Sequence, residues 1–477
     1  MSMDFNGTTP YDTLVEKWNP LLNHEALPEI ADSYKKKCTA MLLENQEKAL
    51  REQYLAEGPV NAMQGNPATG QVGVASSGIA GYDPILISLV RRSMPNLMAY
   101  DLAGVQPMSA PTGLIFAMRS RYGASQGTRG SVHTNNNGIG NEALFQEAFA
   151  KFGGSGNTAS GAATGAFQGI NPTLSSSGGI RNAGFDLNDF RGMLTSVGEN
   201  LGDGSGNKTF NEMAFSIERL AVEAKTRALK AEYSTELAQD LKAVHGLDAE
   251  SELANILSTE ILNEINRELI YTLYRTAKAG CQQNDLTTAG IYDLNTDSDG
   301  RWSAERFRGL MFQIEREANV IAKETRRGKG NFVVCSADVA SALAMGGFLN
   351  LTPALQPQLE VDDTGNTFAG ILNGKFKVYI DPYVATNTST TNTNFALVGY
   401  RGASPYDAGV FYCPYVPLQM VRAVDTSTFQ PKIGFKTRYG MVANPFAENT
   451  DINALAGNQY YRIFKVSNLH GNTGFGL

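Results

Sequence analysis

At 477 residues, with 42% hydrophobic and 18% charged content, the chain is long enough for more than one core and has the composition of a globular protein. Its net charge of −7 argues against a dedicated nucleic-acid binder, which would carry a basic stripe, and no apolar run approaches a membrane span. Cys38, Cys281, Cys335 and Cys413 show no C-x-x-C spacing, and His24, His133, His245 and His470 are scattered, so neither a metal site nor a histidine-based catalytic group is expected.

The first 57 residues read as a largely helical, separate segment. Ile30, Tyr34, Cys38, Met41, Leu42 and Leu50 form a ragged apolar stripe among many charges. Met1 to Pro20 carries Asp4, Asp12 and Glu16 and lacks a signal peptide's basic-then-apolar order, which predicts synthesis and first use in a cytoplasm. Gly58 to Gly81 is rich in small residues and reads as an arm or linker, and Asp83–Leu102 turns apolar and helical. Leu114–Tyr122 alternates as a strand, with Leu114, Phe116 and Met118 on one side and Ile115, Ala117, Arg119 and Arg121 on the other. Residues 123–208 are dominated by Gly, Asn, Ser, Thr and Ala and predict a loop-rich insertion. Between Val222 and Leu229 a small face (Val222, Ala224, Thr226, Ala228) alternates with a charged one (Glu223, Lys225, Arg227). This strand is expected to pair with Leu114–Tyr122 in an exposed two-stranded arm lying on another molecule.

Ser234–Gly280 reads as a short helix ending at Gly246, a turn, and a long helix N-capped by Asp248. Leu253, Ile256, Leu257, Ile261, Ile265, Leu269 and Leu273 give that helix one persistent apolar stripe on which something else must pack. Asn295–Gly300 imitates the start of a calcium loop, but the twelfth position is Arg306 and Glu305 stands one residue early, so a polar loop with Ser303 capping the next helix is preferred. Phe307, Leu310, Met311, Ile314, Ala318 and Ile321 mark that helix. Strands follow at 332–335, 375–380 and 395–400, with a helix over 336–349, and long strands at 429–446 broken at Gly434 and Gly440. The class is α+β or α/β.

Several blocks then carry a family likeness. They are Gly104-Val105-Gln106-Pro107-Met108 with Pro111-Thr112-Gly113, Glu236–Leu241 with Ala243–Gly246, Phe368-Ala369-Gly370, Tyr379-Ile380-Asp381, Ser404–Gly409, Phe429-Gln430-Pro431 with Gly434–Gly440, and Asn444-Pro445-Phe446. In these blocks and their order the chain resembles the major capsid proteins of T-even-like myoviruses, whose shells use the Hong Kong 97-type fold. The resemblance implies an α+β capsid subunit without enzymatic activity and without cofactors or metal. It implies a propeptide over 1–57, an N-terminal arm over 58–103, and an extended β-hairpin loop from 104–145 and 208–233. An insertion domain would fill 146–207, a peripheral domain with the long spine helix 234–300, an axial domain 301–420, and a return to the peripheral domain 421–477.

The implied partners are further copies in hexamers, a vertex protein, an internal scaffold and a prohead protease, with packaged DNA met only non-specifically and no membrane. The implied location is the virion shell, assembled in the host cytoplasm. A pentameric vertex paralogue is the alternative within the likeness, and a calcium-dependent binding protein the alternative outside it. Arg119 and Arg121 on one strand, with Glu223, Lys225 and Arg227 on the other, are the expected intersubunit contacts. The likeness also implies cleavage after Leu55-Ala56-Glu57, before Gly58, by a protease favouring an aliphatic residue, any residue, then glutamate. That cut removes 10 acidic and 6 basic residues and moves the net charge from −7 to −3.

Overall fold

The computed structural model describes residues 10–23, 30, 32–56, 97–122, 195–199, 213–282, 286–298, 302–347, 349–350, 368–384, 394–425, 427, 430–443 and 457–469. Helices α1 (Pro10–Leu22), α2 (Ser33–Ala56) and the one-turn α3 (Ala99–Leu102) precede strands β1 (Gly104–Val105) and β2 (Thr112–Tyr122). Helix α4 (Thr195–Glu199), β3 (Met213–Glu223), β4 (Lys225–Glu232), α5 (Thr235–His245), α6 (Ala249–Thr276), β5 (Ala277–Ala279) and β6 (Ile291–Asp293) follow. Then come α7 (Ser303–Thr325), β7 (Phe332–Ser336), α8 (Ala337–Met345), β8 (Leu349–Asn350), β9 (Phe368–Leu372) and β10 (Phe376–Asp381). The described elements close with β11 (Phe395–Gly399), β12 (Val410–Val424), β13 (Pro431–Ala443) and β14 (Asn458–Ser467).

The chain divides into two units. Met1–Gly113, Ala221–Ile321 and Lys329–Leu477 form the first, and Leu114–Leu220 with Ala322–Gly328 the second. Within the first, a four-stranded sheet runs β1-β12-β13-β4 and a mixed eight-stranded sheet runs β5-β14-β11-β7-β10-β9-β8, with β6 also on β14. Strand β7 is buried at every position, as its unbroken apolar run requires of a strand covered on both faces. Phe332 and Val334 join the core around α6, while Val333 and Cys335 join the core around α7. Helices and strands are therefore layered on either side of one sheet, and the class is α+β.

Helix α5 is capped as its sequence directs: the Ser234 hydroxyl accepts from Leu237 N at 3.2 Å, and Gly246 takes the left-handed conformation at φ 69°. Asp248 occupies the cap position of α6, but its side chain makes no cap bond; its carbonyl accepts from Glu252 N and the Ser251 hydroxyl instead. The stripe Leu257, Ile261, Ile265, Leu269 and Leu273 is buried, whereas Ile256, expected on it, is exposed and Ala254, Leu262 and Ile270 are buried in addition. Ile261 is fully buried in the main core. Ile261→Ala should therefore cost about 2–5 kcal/mol through lost contacts and the cavity left behind. A thermal midpoint equal to that of the unsubstituted protein would remove α6 from the core.

Four expectations are corrected. The N-terminal segment is not separate: Trp18, Leu22, Cys38, Ala40 and Leu43 belong to the same core as α6, because α2 packs on β12. Ala277–Asp293, expected with the spine helix, supplies β5 and β6 to the eight-stranded sheet, and Asn458–Ser467, expected with the returning strands, lies in that sheet between β5 and β11. Gly434 and Gly440 do not interrupt β13. At Gly440 a Cβ would stand 2.4 Å from Val222 Cγ1, so glycine there admits the close approach of a neighbouring strand.

Candidate functional site

The second unit contains a two-stranded sheet of β2 and β3, and its exposure is unusual. Leu114 and Phe116 alternate along β2, Met213, Phe215 and Ile217 along β3, and all five are exposed, Phe116 at 60% and Phe215 at 69%. Ile115 and Leu220 are buried. A two-stranded sheet is marginal alone in water, and this one leaves five large apolar side chains outward. Arg219, in the same alternation along β3, is exposed with them. Arg119 and Arg121 lie on β2, with side chains outside the described residues, and Glu223 is exposed where β3 ends.

The strand partner of β2 differs from expectation. Met213–Glu223 pairs with it, while Lys225–Glu232 turns away after Ala224 and runs antiparallel to β13, from Lys225 opposite Tyr439 to Glu232 opposite Lys432. Lys225 is exposed on this sheet edge, and Arg227 faces inward. Its guanidinium donates to Glu264 Oε2 at 2.7 Å, Glu268 Oε2 at 2.5 Å and the Tyr439 hydroxyl at 2.5 Å, and Tyr439 donates in turn to Glu268. Glu264 and Glu268 are one helical turn apart on α6, so one forked cation spans both. Lys225 and Arg227 are therefore not arm residues; Arg227 fastens the four-stranded sheet to α6.

A second clamp ties α6 to the eight-stranded sheet. Arg267 Nη1 donates to both carboxylate oxygens of Asp381, at 2.6 and 2.7 Å, and the Tyr274 hydroxyl adds a bond of 2.8 Å. The backbone N–H of Tyr383 donates to the same carboxylate at 3.0 Å. The Asp381 side chain has no solvent exposure. The Arg267 guanidinium lies between the rings of Tyr271 and Tyr383, 4.4 and 5.3 Å from their centroids. Burial first, and then the Asp381 carboxylate, push the Tyr274 phenol well above its ordinary range, so it remains a donor. Sequence reading missed this pair; the signal available was an aspartate closing a strand whose only other charge is Lys377.

Nothing in the described chemistry resembles a reaction centre. Cys38, Cys281, Cys335 and Cys413 are buried, and burial pushes each thiol up to about 12, far from thiolate at neutral pH. In the loop that imitates a calcium site, Asp297 already accepts from Thr287 N, the Thr287 hydroxyl and Asp293 N, and Asn295 Oδ1 accepts from Arg306. Partial burial works against the Asp297 carboxylate, but those donors hold it below its ordinary range. Among the described residues no group of three or more His, Cys, Asp or Glu could hold a metal. Ser303 is the first residue of α7. Of the expected processing residues, Leu55 lies in the last turn of α2, and Glu57 and Gly58 lie outside the described residues.

The sequence profile of the family described as Major capsid protein Gp23 matches residues 79–466. The major capsid protein of Enterobacteria phage T4 is 37% identical over 521 aligned residues, covering 96% of this chain and 98% of that one. The capsid vertex protein of the same phage is 29% identical over 257 residues, covering 52% of this chain and 56% of its own. Among solved structures, a chain from the capsid of Myoviridae phage XM1 aligns with 78% of this chain and 92% of its own, at 10% identity and a TM-score of 0.36.

Proposed function

The chain belongs to the family of the major capsid protein Gp23, and from that membership we propose that it is the principal shell subunit of a phage head. Copies of it form hexameric capsomers of the Hong Kong 97 type and then a closed icosahedral lattice around DNA, with residues 1–57 removed by proteolysis. The observation that carries this reading is the near-complete two-way coverage by a major capsid relative, against about half-coverage by a vertex protein. Closed shells use repeated, modest, symmetric contacts, and the outward apolar side chains of β2 and β3 suit one of them.

In this reading the β2–β3 arm lies on a neighbouring copy, and a vertex protein, an internal scaffold and a protease are the other partners. The test is to express the chain with the scaffold and protease of its own phage and view the product by electron microscopy. Hexamer sheets or closed heads are expected, together with a subunit mass that begins at Gly58. Dispersed monomers would reject the shell reading, and particles whose subunits begin near Met1 would reject the processing.

A further inference from the structure

The N-terminal helical pair is held to the rest of the first unit by contacts that do not depend on the backbone at Glu57. Asn45, buried on α2, donates through one side-chain nitrogen to Met108 O at 2.8 Å and to Tyr415 O at 2.9 Å. It thereby bridges the segment following β1 and strand β12. The Tyr34 hydroxyl donates to Val105 O, and the Lys35 ammonium stands 5.5 Å from the centre of the Tyr100 ring. The pair is also internally tied: Lys17 bonds Glu44 and Glu47 at 2.6 Å each, and Lys37 meets Asp12 at 3.0 Å. Trp18, Leu22, Cys38 and Leu43 enter the main core alongside Tyr100, Val105 and Tyr412.

We propose that cutting between Glu57 and Gly58 nicks the chain without releasing it, so that helices α1 and α2 persist as a bound ligand of the β1–β12 face. Scission and departure are then two events, and the second requires the face itself to change. Hydrolysis adds water across one amide, leaving a carboxylate on Glu57 and an ammonium on Gly58. The new carboxylate follows the C-terminal end of α2, where the helix dipole disfavours it, but that effect fades within one turn. Among the described side chains of α2, Gln46 is the last that is buried, well upstream. The inference takes its biological setting from the processing reading above, yet its chemistry stands on the packing alone.

The experiment uses the full chain with a recognition site for a sequence-specific protease inserted between Glu57 and Gly58, cut after folding. The fragment should co-elute with the remainder on native size exclusion and separate only under denaturation. Of the two tryptophans, Trp18 is 6% and Trp302 73% exposed, so retention should keep the buried component of the emission unchanged. Asn45→Leu deletes both bonds and strands two buried carbonyls, so the nicked variant should release its fragment roughly tenfold faster or more. A fragment lost from the unsubstituted chain on cutting, with a red shift of Trp18 emission, would overturn the proposal. Because an added protease makes the cut, that outcome leaves the natural processing to be judged separately by subunit mass from virions.

Discussion

Replacing Asp381 by alanine should lower stability by about 3–5 kcal/mol, the scale for removing one partner of a buried ion pair. The carboxylate is the common acceptor for Arg267, Tyr274 and the N–H of Tyr383, and all three lose that acceptor once it is gone. The Arg267 side chain keeps 22% exposure, so water recovers part of its charge and the cost belongs toward the lower end of that range. Asp381→Asn retains an oxygen acceptor and should lose less. Urea unfolding with an unchanged slope gives the comparison directly. A loss below about 1 kcal/mol for the alanine variant would show that the clamp is incidental to stability.

Phe116→Asp combined with Phe215→Asp should abolish shell formation while leaving the subunit folded. Both rings are already in water, so the folded subunit loses little burial, and its stability should move by no more than about 0.5 kcal/mol. Their value arises only when a neighbouring copy covers them, and two carboxylates there would be buried without partners. Sedimentation in the presence of scaffold, beside circular dichroism of the same preparation, separates the two effects. Shells of ordinary yield from the double variant would exclude this strip as a contact.

The spine helix was legible because its periodic apolar positions and its Gly246 stop are local signals, and α6 runs where the pattern places it. Strand β12 was not legible. Pro414 and Pro417 interrupt its apolar run, and the structure accommodates them with register shifts between Pro414 and Val416 and between Val416 and Gln419. The identity of the arm's second strand was half legible. Alternation continues from Val222 to Leu229, but the ladder changes partner at Ala224, which depends on pairing with β13 far along the chain. Arg227 was placed on the arm for the same reason, whereas its guanidinium bonds Glu264 and Glu268 of α6. The outward apolar strip was visible as alternation in Leu114–Met118, yet which side faces water is a property of the assembly and not of the strand.

The position of β14 has a consequence for biosynthesis. Residues 458–467 pair antiparallel with β11 on one side and parallel with β5 and β6 on the other, so they join pieces made far earlier. Until they have been translated, β11 presents an open ladder edge and Ala277–Asp293 has no strand to join. Such an edge recruits foreign strands, and long-range pairing of this kind forms slowly. In a nascent subunit the run β11-β7-β10-β9-β8 is therefore already synthesised while β5 and β6, at one end of the eight-stranded sheet, wait for β14 to join them to it.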